Sequence, residues 1–411
     1  MDVYENTAFT IEGSDLAFIQ STLGGNLERR RDGWAITRLV GHLALPSGRV
    51  LRIRSPKATG AAVLSWMAFV DPTLAGLRFV GRVPEAVDAG DVATLAARLF
   101  FVELFAAIQR HGVGRTYVRT RAYSSAVRGR IDFAALARQG GNYSKLPCQL
   151  WERQPHTPLN RLLAAAIDAI ARDIVLRGAF ATEIRRAQVA FSGVPPQPSL
   201  DILSGKAALF RTEQPYLAVQ ALARIVVNGA LLGEGRASPG VGFLVNLEAL
   251  FERTVVRALA GANFDVVAKA KVPYFRVDEQ GRRSISAMEA DVVIQSSPIG
   301  PIVVDAKYKA ALSSSNLQQI VAYCFVLGAW TGVLVVPGGL LGDLRRYELT
   351  PVMRSTGDEN LAIHVHVVEL ETGAATVEQW RNEAARFVMR FASAIGEQHQ
   401  SGWTMSPNLA I

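Results

Sequence analysis

The sequence predicts an α+β multidomain protein with a β-rich N-terminal region, a helical middle and a C-terminal α/β domain. Three observations carry this. Extended runs around a Pro-Ser-Gly turn mark the beginning of the chain, and long apolar stretches of helical period mark the middle. After a glycine- and proline-bearing stretch, strand-like and helix-like segments alternate. At 411 residues the chain is also too long for one ordinary core, since domains run about 100–200 residues. The divisions expected are residues 1–90, 91–235 and 241–411. Hydrophobic residues make up 49% and charged residues 19%, a globular composition that excludes a disordered chain.

In the first region, Trp34–Val40 and Val50–Arg54 flank Pro46-Ser47-Gly48 and read as strands of a small barrel or sheet. Val92–His111 reads as one helix stopped by Gly112. Thr157–Arg177 reads as another, with Pro158 at its start and Gly178 beyond its end. Further helices are expected over 182–192 and 215–231. Residues 233–240, Gly-Glu-Gly-Arg-Ala-Ser-Pro-Gly, are the best domain boundary. Beyond it come a helix from Asn246 to Leu259, strands near 264–277, 284–294 and 301–309, a helix at 316–329, strands near 332–336 and 362–370, and a helix at 377–395.

The formal charge of +8 is concentrated. From Arg110 to Arg161 there are ten Lys and Arg against two acids, Asp132 and Glu152, which accounts for the whole excess. Such a stretch predicts a polyanion or an acidic protein face as partner. The N-terminus is acidic and polar where an export signal would be basic and then apolar, so export is not expected. The longest uncharged apolar run, Ile320–Val336, is 17 residues with internal glycines, short of the roughly 20 a membrane span needs. The expectation is therefore a soluble, cytoplasmic protein with no membrane partner. Cys148 and Cys324 are far apart with no CxxC pairing, which excludes a cysteine-rich zinc site or a disulfide framework. No Gly-x-x-x-x-Gly-Lys-Ser/Thr occurs, and Gly205-Lys206 is followed by Ala207, so any nucleotide-driven motor must be a separate polypeptide.

The chemistry is read from Glu289 to Lys309. Two β-branched runs flank Ser-Ser-Pro-Ile-Gly, an antiparallel hairpin signal. With the turn centred on Pro298, Asp291 and Asp305 lie opposite each other, and Lys307, two residues on, shares their face. Paired carboxylates on a buried strand repel and need a cation between them. Lys307 supplies one positive charge, and a hard oxygen-seeking ion such as Mg²⁺ supplies the rest, giving a site for metal-assisted phosphodiester hydrolysis.

These residues, with Glu252 on the preceding helix and Gln319 and Tyr323 one helical turn apart, resemble the PD-(D/E)xK nuclease fold and its RecB-like branch. Arg128-Gly129-Arg130-Ile131-Asp132-Phe133, Thr157-Pro158-Leu159-Asn160-Arg161-Leu162-Leu163 and Leu250-Phe251-Glu252-Arg253 extend the likeness to the McrC family over roughly residues 95 to 330. That resemblance implies the DNA endonuclease subunit of a modified-cytosine (5-methylcytosine) restriction system. It would act on double-stranded DNA with a hexameric AAA+ GTPase, McrB, whose hydrolysis it stimulates. Asp291, Asp305 and Lys307 match the family's catalytic trio, with the two aspartates as Mg²⁺ ligands. Glu252 and Gln319 match positions that support the metal or its phosphate. The sequence departs from the family in Ala290, where Pro is usual, and in Asn316 and Gln318, where Asp and Tyr are common. A standalone RecB-like exonuclease or repair nuclease and a non-catalytic GTPase activator are the alternatives. His364 and His366 share a strand face but have no nearby third ligand, so no metal role is assigned to them.

Overall fold

The computed structural model describes the chain apart from residues 57, 72–91, 140–143, 205–206, 208, 210, 230–241, 278–279, 296, 298–299, 310–311, 340–345, 350–362 and 397–411. The expected linker at 233–240 lies outside the described residues, as do Gly205, Lys206 and Pro298. The first elements are β1 (Asp2–Tyr4), β2 (Ala8–Phe9), α1 (Gly13–Leu23), β3 (Leu27–Arg30), β4 (Gly33–Ile36), β5 (Leu39–Ala44), β6 (Val50–Arg54) and α2 (Gly60–Val70). Then follow α3 (Val92–His111), β7 (Thr116–Ser124), β8 (Arg130–Ile131), α4 (Phe133–Ala137), β9 (Leu146–Gln154), α5 (Pro158–Arg172), α6 (Ile174–Ala179), α7 (Ala181–Ala190), α8 (Leu200–Leu203) and α9 (Leu217–Gly229). The last set is β10 (Gly242–Asn246), α10 (Leu247–Gly261), β11 (Val266–Val277), β12 (Arg283–Ile294), β13 (Ile302–Ala306), α11 (Ser314–Leu327), β14 (Thr331–Pro337), β15 (Arg346–Leu349), β16 (Ile363–Leu370) and α12 (Val377–Gly396).

Among the described residues these strands form four sheets. The largest has the order β11-β12-β13-β14-β16-β15. Its first three strands are antiparallel, while β13, β14 and β16 run parallel. The parallel centre is Ile302–Ala306 against Thr331–Pro337, buried on both faces, as its nearly unbroken apolar sequence requires. One face packs on α10, α12 and α2, and the other on α11.

The first region is less purely β than expected, because α1 and α2 lie within it. The strand expected over 34–40 is broken in two. Arg38 has φ +66°, outside the extended region that a regular strand uses, and its amide donates to Glu5 at 2.9 Å. The sheet β1-β6-β5 is then completed by β10, from the far side of the expected linker. Gly41 and Gly242 permit this pairing: a Cβ on either would stand 2.0 or 2.2 Å from a carbonyl oxygen of the facing strand. The same junction fixes the start of α10, where Leu247 N donates to Arg38 O and the Arg38 guanidinium pairs with Glu248 at 2.8 Å. Asn246 caps that helix through Ala249 N.

Helix α3 has the expected bounds and lies half-buried in the main core, although by length and composition it could cross a bilayer. Helix α5 begins as expected, with Thr157 capping Asn160 N and Pro158 in the first turn. Leu159, Leu162, Leu163, Ile167 and Ile170 bury its stripe, each leucine or isoleucine contributing about 1.5–3 kcal/mol. The expected single helix to Arg177 instead breaks at Asp173. This residue is extended, caps Val175 N and Leu176 N with one carboxylate oxygen, and meets the buried His42 Nε2 at 2.7 Å with the other. A tertiary contact from β5 thus overrides local helical preference.

The middle region is helical except where the charge is greatest. Residues 116–124, 130–131 and 146–154 form the antiparallel sheet β7-β9-β8, because Thr-Tyr-Val-Arg-Thr-Arg-Ala-Tyr alternates with period two and is rich in β-formers. The regions meet around Trp66 of α2. Its ring stacks on Trp380 of α12 at 4.8 Å, meets Phe251 of α10 edge-on, and its Nε1 donates to Thr254 at 2.5 Å.

Candidate active site

The β12–β13 register is Val292 to Val304, Val293 to Val303 and Ile294 to Ile302, which centres the hairpin on Pro298 as expected. Continued by one residue, it sets Asp291 opposite Asp305. Regular pairing stops there, while β13 runs on to Ala306. The Asp291 carboxylate enters the fork so formed: its Oδ2 accepts from Ala306 N at 2.9 Å, replacing the lost ladder bond.

Asp305 is 1% exposed and Lys307 13%. The Lys307 ammonium lies 3.0 Å from Asp305 Oδ1 and 2.9 Å from Oδ2. Burial, opposed by the Lys307 ammonium and assisted by the Asp291 carboxylate, raises the Asp305 pKa to about 6. For Lys307, burial disfavours the charged form, but Asp305 and Asp291 outweigh it and hold the ammonium above the ordinary lysine value. Asp305 Oδ2 is buried and forms no hydrogen bond of good geometry, the Lys307 ammonium at 2.9 Å being an ion-pair contact. A buried carboxylate oxygen held only by an ion pair, beside a second carboxylate, is the kind of donor set a hard cation satisfies. Among the described residues no three His, Cys, Asp or Glu side chains are grouped so as to hold a metal ion by themselves, Glu252, Glu289 and Asp291 meeting around the Lys269 ammonium instead. Asp291 and Asp305 would therefore supply two ligands, with water and phosphate the rest, which suits Mg²⁺ better than an all-protein calcium site.

Glu252 does not meet the aspartates directly. It is partly buried on α10, and its Oε2 accepts from Lys269 Nζ at 2.6 Å. Burial and the nearby Asp291 raise the Glu252 pKa, and Lys269 pulls it down. The Lys269 ammonium also stands 3.6 Å from Asp291 Oδ1 and 3.8 Å from Glu289 Oε1. Lys269 is therefore a site residue that the motifs did not name. The signal lay in the Gln280-Gly281 turn: centred on Gln280, the β11–β12 hairpin sets Lys269 opposite Asp291.

Gln319 is tied to the site through Tyr323. Its Nε2 donates to the Tyr323 hydroxyl at 2.7 Å, and that hydroxyl donates to Glu289 O at 2.9 Å. The pair thus anchors α11 to the strand bearing Asp291. Both departures at the helix start have local roles or none. Asn316 is buried and its Oδ1 accepts from Ser313 N and Oγ, doing the work of a cap, whereas Gln318 is exposed. Ala290 is fully buried and pairs with Ala270.

A second surface has the opposite character. On β7, Tyr117, Arg119, Arg121 and Tyr123 share one face, and Arg153, Trp151 and Gln149 stand opposite them on β9. Tyr117, Tyr123 and Trp151 are 65%, 61% and 66% exposed. Arg130 extends the face from β8, while Asp132 is structural: it caps Ala135 N, accepts from Gln149 and lies 3.5 Å from Arg121. Asn160 is structural too, donating to Gly114 O and Pro155 O at 2.7 Å each.

The family model for McrBC 5-methylcytosine restriction system component matches residues 35–337. A solved chain in the refined half-complex from the tetradecameric assembly of Thermococcus gammatolerans McrB AAA+ hexamers with bound McrC is 17% identical. The match covers 95% of this chain and 99% of that one at a TM-score of 0.57, a likeness of overall fold. A chain of the Thermococcus gammatolerans McrBC complex matches 63% of this chain and 87% of its own length, with 19% identity and a TM-score of 0.40. No curated protein matches the sequence.

Proposed function

The chain belongs to the McrBC 5-methylcytosine restriction system component family, and from that premise we propose that it is the DNA-cleaving subunit of such a system. It would act as a Mg²⁺-dependent endonuclease of the PD-(D/E)xK type on modified double-stranded DNA. The observation that carries this reading is the buried fork at Asp291, Asp305 and Lys307, two carboxylates and one ammonium within the family-matched segment.

Asp291 and Asp305 would hold the cation, which when bound polarises the phosphate and lowers the pKa of a coordinated water. Lys307, fixed by Asp305, keeps one ammonium proton donor aimed at the reacting oxygens and stabilises negative charge developing there. Tyr323 and Gln319 hold Glu289 and hence the neighbouring Asp291 strand in register. Glu252 and Lys269 balance the outer edge of the site.

The solved relative is bound to McrB AAA+ hexamers, and we assign this chain an equivalent partner, a separate AAA+ GTPase ring that it stimulates. The arginine- and aromatic-bearing face of β7-β9-β8 is the surface we assign to that docking. Exposed aromatics interleaved with arginine are enriched at recognition surfaces and cost free energy if left bare to water.

The test is cleavage of methylated plasmid by the purified chain, with and without its GTPase and GTP, in wild type and Asp305→Ala. Cutting that needs Mg²⁺ and the partner and disappears in the variant is the expected outcome. Degradation of DNA ends by the chain alone would replace this reading with a standalone nuclease. GTPase stimulation without any cutting would replace it with a non-catalytic activator.

A further inference from the structure

We propose that Lys269 stands in for a second divalent cation, so that the site takes one metal ion where its carboxylates could otherwise hold two; the inference rests on the reading that Asp291 and Asp305 are metal ligands.

Asp291 faces both ways. Its Oδ2 is held at the fork by Ala306 N, on the Asp305 side, while its Oδ1 points toward Lys269 at 3.6 Å. A carboxylate shared in this way is what a two-metal site requires, with one ion on either side of it. On the outer side the position between Glu252, Glu289 and Asp291 is filled by the Lys269 ammonium. Charge agrees with the geometry. Glu252, Glu289, Asp291 and Asp305 face the ammonium groups of Lys269 and Lys307, which leaves two negative charges, the charge of one divalent ion.

The backbone singles out the same residue. Lys269 has φ +52° in the middle of β11, although the register is unbroken on either side, Ala268 to Val292 and Ala270 to Ala290. No residue is inserted, so this is not a bulge. A left-handed lysine within a strand is strained and persists only where its surroundings hold it. Here the holding contacts are the carboxylates, Glu252 at 2.6 Å foremost. A lysine that merely decorated an exposed strand would have no reason to accept that conformation.

The experiment is a titration of the metal-free full chain with Mn²⁺, with bound ions counted by electron paramagnetic resonance and folding checked by circular dichroism. Wild type is expected to bind one Mn²⁺ per chain. Lys269→Gln and Lys269→Met are expected to bind two, the second being lost again when Glu252→Gln is added. Lys269→Arg, which keeps the charge, should bind one. Wild type binding two ions, or Lys269→Gln still binding one with unchanged affinity, overturns the proposal. A purely structural lysine would lower the melting temperature without changing the count. If Lys269→Gln does not fold, Lys269→Met decides on the same count, two ions upholding the proposal and one overturning it. Uptake of no Mn²⁺ by wild type or any variant sinks the metal-site reading itself, whereas one ion in wild type that Asp305→Ala removes upholds that reading whatever Lys269 does.

Discussion

The fork between β12 and β13 and the sheet β7-β9-β8 both carry charge, and they handle it in opposite ways. At the fork, Asp305 and Lys307 are withdrawn from water and fixed by each other, so each charge has its position set to within a hydrogen bond. On the small sheet, Arg119 and Arg121 stand among Tyr117, Tyr123 and Trp151, aromatic rings that are mostly exposed to water. Burial makes charge expensive and therefore geometrically exact in its demands, which suits chemistry. Exposure makes charge cheap and adaptable, which suits docking.

Lys307→Met tests the first half of that contrast and carries the largest expected effect. It should lower the cutting rate on the order of 10²–10³-fold, by removing an ammonium aimed at developing charge. Because it also strands a buried carboxylate, it should lower unfolding stability by about 3 kcal/mol, read from the denaturant midpoint. Unchanged stability would mean that the pair is better solvated than its burial indicates.

The combined variant Arg119→Glu, Arg121→Glu, Trp151→Ala tests the other half. Its melting temperature should stay close to wild type, since exposed substitutions cost within about 0.5 kcal/mol. Its affinity for the GTPase ring should fall roughly 10–100-fold in sedimentation or pull-down titrations, as expected when an exposed aromatic anchor and its arginines are removed. Loss of fold with binding intact would reverse the assignment of this sheet.

The smallest effect sharpens the comparison at the fork itself. Asp305 has its pKa raised from 3.8 to about 6, chiefly by burial, so the folded metal-free chain holds this proton more tightly than the unfolded chain. The resulting stabilisation is fully present below the unfolded value and is lost as pH rises through about 6. Wild type should therefore lose melting temperature relative to Asp305→Asn as pH rises from 5 to 7, on top of the constant offset from leaving Lys307 without its carboxylate. A constant gap would show that Asp305 does not titrate in that window.

Local pattern made much of this legible. The hairpin centred on Pro298 needed only two β-branched runs and a turn, and it brought Asp291 opposite Asp305 in the sequence as in the fold. The bounds of α3 and the starts of α5 and α10 followed from apolar period and capping residues. The basic stretch was legible as charge but not as a sheet, because its short β7 alternation was outweighed by the long helices on either side. Lys269 was missed because an isolated lysine in a strand is ordinary until the strand opposite is known.

What the sequence determined by itself, then, were features whose cause lies within a few residues: helix periods, caps, turns, and the register of the Asp291–Asp305 hairpin. The tertiary structure alone decided the pairing of β10 with β5 across some two hundred residues, the break at Asp173 over His42, and the meeting of α2, α10 and α12 at Trp66. It also decided that Glu252 from α10 and Asp291 from β12 converge on Lys269 of β11. The reason is physical. Local preferences amount to tenths of a kcal/mol per residue, whereas burying a pair of faces or a charge contributes several, and such burial joins residues that no sequence window contains.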